Sequence, residues 1–198
     1  TPGAYGEYVR LTAALLLRVP EGLPDIVAAT NEPCAVGLHA VRQAKMQPGE
    51  TAVVMGAGPI GLMTLLWLKK EGARHVTVSD LAAPRRALAR QLGADLVLDP
   101  KEGPVAEQLT TAGVEQPPVV FECVGVEGTL EQAMELATRG GRVIVVGVCM
   151  KPDTIFPMVG INKQLALQFV LGYLAEEYAE ALHLADSAPL TLPEPGDL

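Results

Sequence analysis

A doubly wound α/β fold, a parallel sheet with helices on both faces, is what this 198-residue sequence predicts, and three observations predict it. Hydrophobic residues make up 49% of the chain but aromatics only 4%. The apolar mass therefore lies in Val, Ile, Leu and Ala, the composition of strands buried on both faces. From Thr51 onward, short apolar runs alternate with helix-length segments across short turns, the pattern of βαβ units. The first unit passes through Val53-Val54-Met55-Gly56-Ala57-Gly58-Pro59-Ile60-Gly61-Leu62, whose glycines have G-x-G-x-x-G spacing.

Taken in order, residues 1–30 read as a strand over Tyr8-Val9-Arg10-Leu11, an extended piece, and Leu15-Leu16-Leu17 before a Pro20/Gly22 turn. They read as the end of a preceding unit, and an opening without Met is what a fragment or a processed chain would show. A helix is expected over Ile26 to Ala44, broken near Pro33 and closed by Gln47-Pro48-Gly49-Glu50. Next come a strand at 51–55, a helix at 59–70, a strand at 75–79 ending at Asp80, and a helix at 84–92 with Leu88 and Leu92 on one face. Strands at 95–98, 118–123 and 142–147 then alternate with helices near 104–112 and 127–138. After Gly147 the pattern yields a turn at Lys151-Pro152-Asp153, a last strand over Leu165 to Leu171 and a helix from Glu176 to Ala188. The proline-rich end is expected to be poorly ordered.

Charge and cysteine use narrow the partners. A formal charge of −8 with 15 Lys+Arg leaves little from which to build a nucleic-acid or anionic-membrane surface. The uncharged run from Thr51 to Leu68 is interrupted by Gly56, Gly58, Pro59 and Gly61, where a lipid-exposed turn would leave backbone groups unsatisfied. The start lacks a basic stretch followed by an apolar one, so no secretory leader is read there. Cys34, Cys123 and Cys149 are odd in number and far apart, which fits a reducing, cytoplasmic setting and neither a disulfide framework nor a C-x-x-C knuckle.

The glycine turn follows a strand, opens a helix, and is succeeded about 20 residues on by the carboxylate of Asp80 at the end of the next strand. This combination points to dinucleotide binding. A carboxylate there accepts hydrogen bonds from a ribose diol and repels a 2′-phosphate, favouring NAD over NADP, while Arg85 and Arg86 keep NADP open. Asp80 could instead only cap the next helix. An S-adenosylmethionine-dependent methyltransferase is the rival on this geometry, disfavoured by Met55 where such sheets carry an acid before the glycines. His39, His75 and His183 have no metal-ligand spacing, and Cys123 and Cys149 read as small apolar residues.

Several motifs in one order carry a family resemblance: the glycine turn, Asp80, Leu92-Gly93-Ala94-Asp95, Phe121-Glu122-Cys123-Val124-Gly125, and Gly140-Gly141-Arg142-Val143-Ile144-Val145-Val146-Gly147. Together they resemble the cofactor domain of the medium-chain, zinc-dependent alcohol dehydrogenase superfamily. Asn31-Glu32-Pro33-Cys34-Ala35-Val36-Gly37-Leu38-His39-Ala40 resembles its sorbitol and threonine dehydrogenase branch, and Tyr5-Gly6-Glu7-Tyr8-Val9 resembles the strand leaving the catalytic domain. The resemblance implies that 1–30 is a remnant of a GroES-like catalytic domain with a connecting segment, 31–188 a Rossmann-type dinucleotide-binding domain, and 189–198 a tail.

It further implies that Gly56, Gly58, Pro59, Ile60 and Gly61 wrap the pyrophosphate, that Asp80 holds the adenosine ribose, and that Arg85 lies over the same corner. Cys123, Val124 and Gly125 would line the adenine side; Val146, Gly147 and Val148 would border the nicotinamide. Glu32 would stand at a catalytic zinc as a ligand or as the partner of its bound water, where the residues alone suggest a solvated or helix-capping acid. The implied activity is hydride transfer between an alcohol or polyol and a nicotinamide cofactor, in a homodimer or tetramer paired through the strand near 165–171. The family's remaining zinc ligands belong before Thr1, so no catalytic residue is assigned, and this chain alone is expected to be inactive and to retain no zinc. Val170-Leu171-Gly172 departs from the Gly-Ser common in related chains. A non-catalytic nucleotide-sensing or interaction module is the other reading.

Overall fold

The computed structural model describes residues 6–187; the expected tail and the first five residues lie outside them. Six parallel strands form one sheet in the order β3-β2-β1-β4-β5-β6: β1 Thr51–Met55, β2 His75–Ser79, β3 Leu96–Leu98, β4 Val119–Glu122, β5 Arg142–Val145 and β6 Ala166–Phe169. The strand order reverses between β1 and β4, which opens a crevice at their carboxyl ends.

Side chains alternate across each strand, so each supplies two cores. Ala52, Val54, Val78, Phe121 and Ile144 pack on one face with Leu38 and the fully buried Trp67. Val53, Met55, Val120 and Val143 pack on the other with Leu109 and Met134. The first face is covered by α2 Asn31–Ala44, α3 Pro59–Lys70, α4 Ala83–Gln91 and α8 Ala175–Ser187, the second by α5 Val105–Thr111, α6 Thr129–Leu136 and α7 Pro157–Lys163. α2 and α3 cross closely because Gly37 has no side chain: a Cβ there would lie 2.8 Å from the Met63 carbonyl carbon. The Trp67 indole donates to Cys34 O at 2.9 Å across the same crossing. α8 is pinned to α2 by His39 Nδ1 with Glu177 Oε2 at 2.9 Å and by Asn31 Nδ2 donating to Tyr178 O at 3.1 Å.

Three expectations are corrected. Residues 8–11 form no strand; Tyr8 is 94% exposed and no other described strand pairs there. The break in the first helical region falls at Ala29-Thr30, between α1 Asp25–Ala28 and α2, and Pro33 sits in the first turn of α2, where a missing N–H costs nothing. α7 was not foreseen. It is too short to show a period, and it is held from its end by Lys163, whose ammonium donates to Ala137 O at 2.8 Å and to Glu135 O at the C-terminus of α6. No described helix is long and apolar enough to cross a membrane.

Candidate functional site

The glycine turn has one mechanical reason for each glycine. Gly56 takes φ +92, a left-handed conformation that a side chain disfavours, and it abuts Cys123 O. A Cβ at Gly61 would fall on Gly56 O, so the third glycine lets α3 close onto the turn. Gly58 is different: it is the N-cap of α3 in extended backbone, no side chain caps the helix, and a Cβ would meet nothing within 4 Å. It borders open space in front of a helix N-terminus whose first N–H groups have no partner within the helix, a setting suited to a phosphate anion.

That space is a cleft of about 490 Å³ bounded by Gly56, Gly58, Asp80, Arg85, Cys123 and Val124. Asp80 directly follows β2 and is 9% exposed. Its Oδ2 accepts from Ala57 N–H at 2.8 Å and its Oδ1 from Ala82 N–H at 2.7 Å. It is thus both the acid at the rim and the brace of the glycine turn. Each oxygen keeps acceptor capacity beyond these bonds. Of the two arginines, Arg86 is committed: Nη1 donates to Asp80 O at 2.8 Å and Nη2 pairs with Asp99 Oδ2 at 2.7 Å. Arg85 is exposed at the cleft wall.

A second cavity, about 330 Å³, is bounded by Glu122, Val146, Gly147, Val148 and Phe169. Val126, before α6, and Thr129, its first residue, line both cavities. Cys123 and Val124 border the first cavity and Val146, Gly147 and Val148 the second, while Gly125 lines neither. Pro59, Ile60 and Gly61 belong to the turn and helix without lining either cavity. Burial pushes the Cys123 thiol up to about 12, the nearby Glu122 charge adding to this and a Thr64 hydrogen bond opposing it. The raised value favours the protonated thiol, so Cys123 serves the cleft as a wall residue.

Glu32 lies exposed in the first turn of α2, and among the described residues no three His, Cys, Asp or Glu side chains gather to hold a metal ion. The described residues do not by themselves make a zinc centre. His39 is engaged with Glu177, and His75 Nε2 lies 3.1 Å from Thr77 Oγ1. The residue that sequence reasoning passed over is Glu122. An acid after Val119-Val120-Phe121, at the end of a strand buried on both faces, was a signal of the same kind as Asp80.

A parallel sheet with a glycine turn, a helix N-terminus and an acid converging on its switch point is a dinucleotide-cofactor domain. The zinc-binding dehydrogenase family model matches residues 59–187, well over half of the chain, and the chain belongs to that family. (R,R)-butanediol dehydrogenase of Bacillus subtilis is 35% identical over 86% of this chain and 49% of its own length. Human sorbitol dehydrogenase is 35% identical over 84% of this chain and 47% of its own. The crystal structure of 2R,3R-butanediol dehydrogenase from Bacillus subtilis superimposes with a TM-score of 0.77 at 31% identity, covering 92% of this chain and 51% of that one. A zinc-binding dehydrogenase from Sinorhizobium meliloti bound to NADP gives 0.78 at 31% identity, covering 84% of this chain and 50% of that one. The chain thus spans about half the length of the curated relatives it matches. This membership sets aside the methyltransferase reading.

Proposed function

We propose that the chain is the NAD-binding part of an oxidoreductase that moves hydride between an alcohol or polyol and a nicotinamide. The observation that carries this is the convergence of Gly58's empty Cβ space, the α3 N-terminus and the Asp80 carboxylate on one cleft. The pyrophosphate would lie against Gly56, Gly58 and the first turn of α3, where N–H groups offset its charge. The adenosine ribose would hydrogen-bond to Asp80, with Arg85 above it, and the adenine would rest against Cys123, Val124 and Gly125. The nicotinamide would lie by Val146, Gly147 and Val148. When bound, the cofactor supplies the hydride acceptor; the chain's residues orient it and exclude water from its faces.

NAD is favoured over NADP because a buried carboxylate would face the 2′-phosphate and Arg86 is already engaged. Relatives carrying the names sorbitol and butanediol dehydrogenase support a small alcohol or polyol as substrate. Glu32 would serve zinc only in a site completed by residues beyond this chain. The division at 1–30 and 31–188, a cytoplasmic location, and pairing through the edge strand β6, where Phe169 is exposed and Leu171 just beyond it is too, belong to the same reading. Light scattering tests the last: a monomer at micromolar concentration contradicts it.

Titration with NADH and NADPH, followed by nicotinamide fluorescence, tests the centre of the proposal. NADH should bind more tightly, and Arg85→Ala should weaken NADPH more than NADH. If neither dinucleotide binds, the cofactor assignment fails; if NADPH binds more tightly, the preference is reversed.

A further inference from the structure

We propose that Glu122 is a positioning residue of the dinucleotide crevice, clamping the turn after β4 against the turn after β5 so that the adenosine-side and nicotinamide-side walls keep one spacing. This rests on the cofactor reading above. Glu122 ends β4 and is 2% exposed. It collects four backbone N–H groups. Its carbonyl oxygen accepts from Val146 N–H at 2.9 Å and Gly147 N–H at 2.8 Å, tying down the strand β5 exit. Its Oε1 accepts from Val124 N–H at 2.7 Å and Gly125 N–H at 2.9 Å, shaping its own turn.

The two turns meet backbone to backbone. Gly125 takes φ +72, and a Cβ there would lie 2.6 Å from Val148 N; a Cβ at Gly147 would lie 2.7 Å from Glu122 Oε2. No other side chain enters this contact, and the Glu122 carboxylate lies beside it, holding the Gly125 turn on one side and abutting Gly147 on the other. Among the described residues Oε2 has no hydrogen-bonding partner, and Glu122 lines the cavity on the nicotinamide side. A buried carboxylate is costly unless it is hydrogen-bonded, and a small apolar residue would fill a strand end at less cost. What the acid adds is a fixed geometry. Val124 stands on one wall and Val148 on the other, so a molecule spanning both depends on that geometry more than one touching a single wall.

The test compares Glu122→Ala, Glu122→Asp and Glu122→Gln in the 198-residue chain, with NADH followed by fluorescence, 5′-AMP by calorimetry, and the fold by circular dichroism. Glu122→Asp withdraws the carboxylate by one methylene, keeping the charge but losing Oε1's reach; Glu122→Gln keeps the reach through its amide oxygen. Glu122→Ala and Glu122→Asp should each bind NADH about tenfold more weakly. AMP, which reaches only the adenosine wall, should weaken by no more than about threefold, and Glu122→Gln should restore NADH binding to within about threefold of wild type. Should Glu122→Ala fail to fold, the Asp and Gln pair carries the comparison. Wild-type NADH affinity in folded Glu122→Asp overturns the proposal, as does an equal loss for AMP and NADH. If wild type itself binds neither NADH nor NADPH, the cofactor reading falls and takes this with it; if wild type binds and Glu122→Asp matches it, only the clamp is lost.

Discussion

Two carboxylates flank the end of β1, Glu122 on β4 level with Met55 and Asp80 one residue beyond Ser79, the Met55 partner on β2, both buried and both accepting two backbone N–H groups through their side chains. They differ in what they hold. Asp80 reaches across to the glycine turn of the neighbouring strand and lines the cleft beside open space. Glu122 turns back on its own loop and presses on the next one. The same chemistry at a strand end thus yields a cofactor-facing acid in one place and a spacer in the other. Which it becomes depends on whether the adjoining turn leaves room for a ligand.

The largest effect expected on this comparison comes from Asp80→Ala. It removes the acceptor for Ala57 and Ala82 N–H together with the proposed ribose contact. Losing charge-assisted hydrogen bonds costs about 1.5–3 kcal/mol each, so both denaturant stability and NADH affinity should fall, affinity by about a hundredfold. An unchanged NADH affinity would leave Asp80 as a brace alone and make the two acids alike.

The glycines sharpen the contrast at the next level. Gly61→Ala drives a Cβ onto Gly56 O and should cost about 1–3 kcal/mol of stability in urea unfolding. Gly58→Ala places its Cβ in open space, so stability should change by less than about 0.5 kcal/mol while NADH binding weakens about tenfold. If Gly58→Ala binds normally, the pyrophosphate does not lie there.

The effect that is smallest near neutrality is a pH dependence beside Glu122. The folded Cys123 thiol is raised from 9.0 to about 12, by burial first and the Glu122 charge second. The unfolded thiol ionises first, so its contribution to stability is complete below pH 9 and is lost as the pH rises from 9 toward 12. Alkaline unfolding curves should show this slope, and Cys123→Ala should flatten it. Glu122→Gln should reduce it, because the neighbouring charge is gone.

Much of this molecule was legible because its signals are local. The helix at Pro59–Lys70 and the strands at Thr51–Met55 and His75–Ser79 have the expected bounds, since glycine, proline and charge mark each end. α7 and the nonexistent strand at 8–11 were misread for opposite reasons. A seven-residue helix held by Lys163 from outside has no pattern of its own, whereas Tyr8 to Leu11 has a strand's pattern without a partner. At the site, Glu122 stood in a motif already singled out, but its turn gave no clue that it faced Gly147.

The sequence by itself determined the alternation of strands and helices, the three-glycine turn and the acid that follows it, because each is written in neighbouring residues and their period. Tertiary structure alone decided the strand order that puts β4 beside β1 and the crossing of α2 over α3 at Gly37. It also decided the meeting of Gly125 with Gly147 around Glu122. Those contacts join segments far apart in the chain, and whether two turns touch depends on the packing of everything between them.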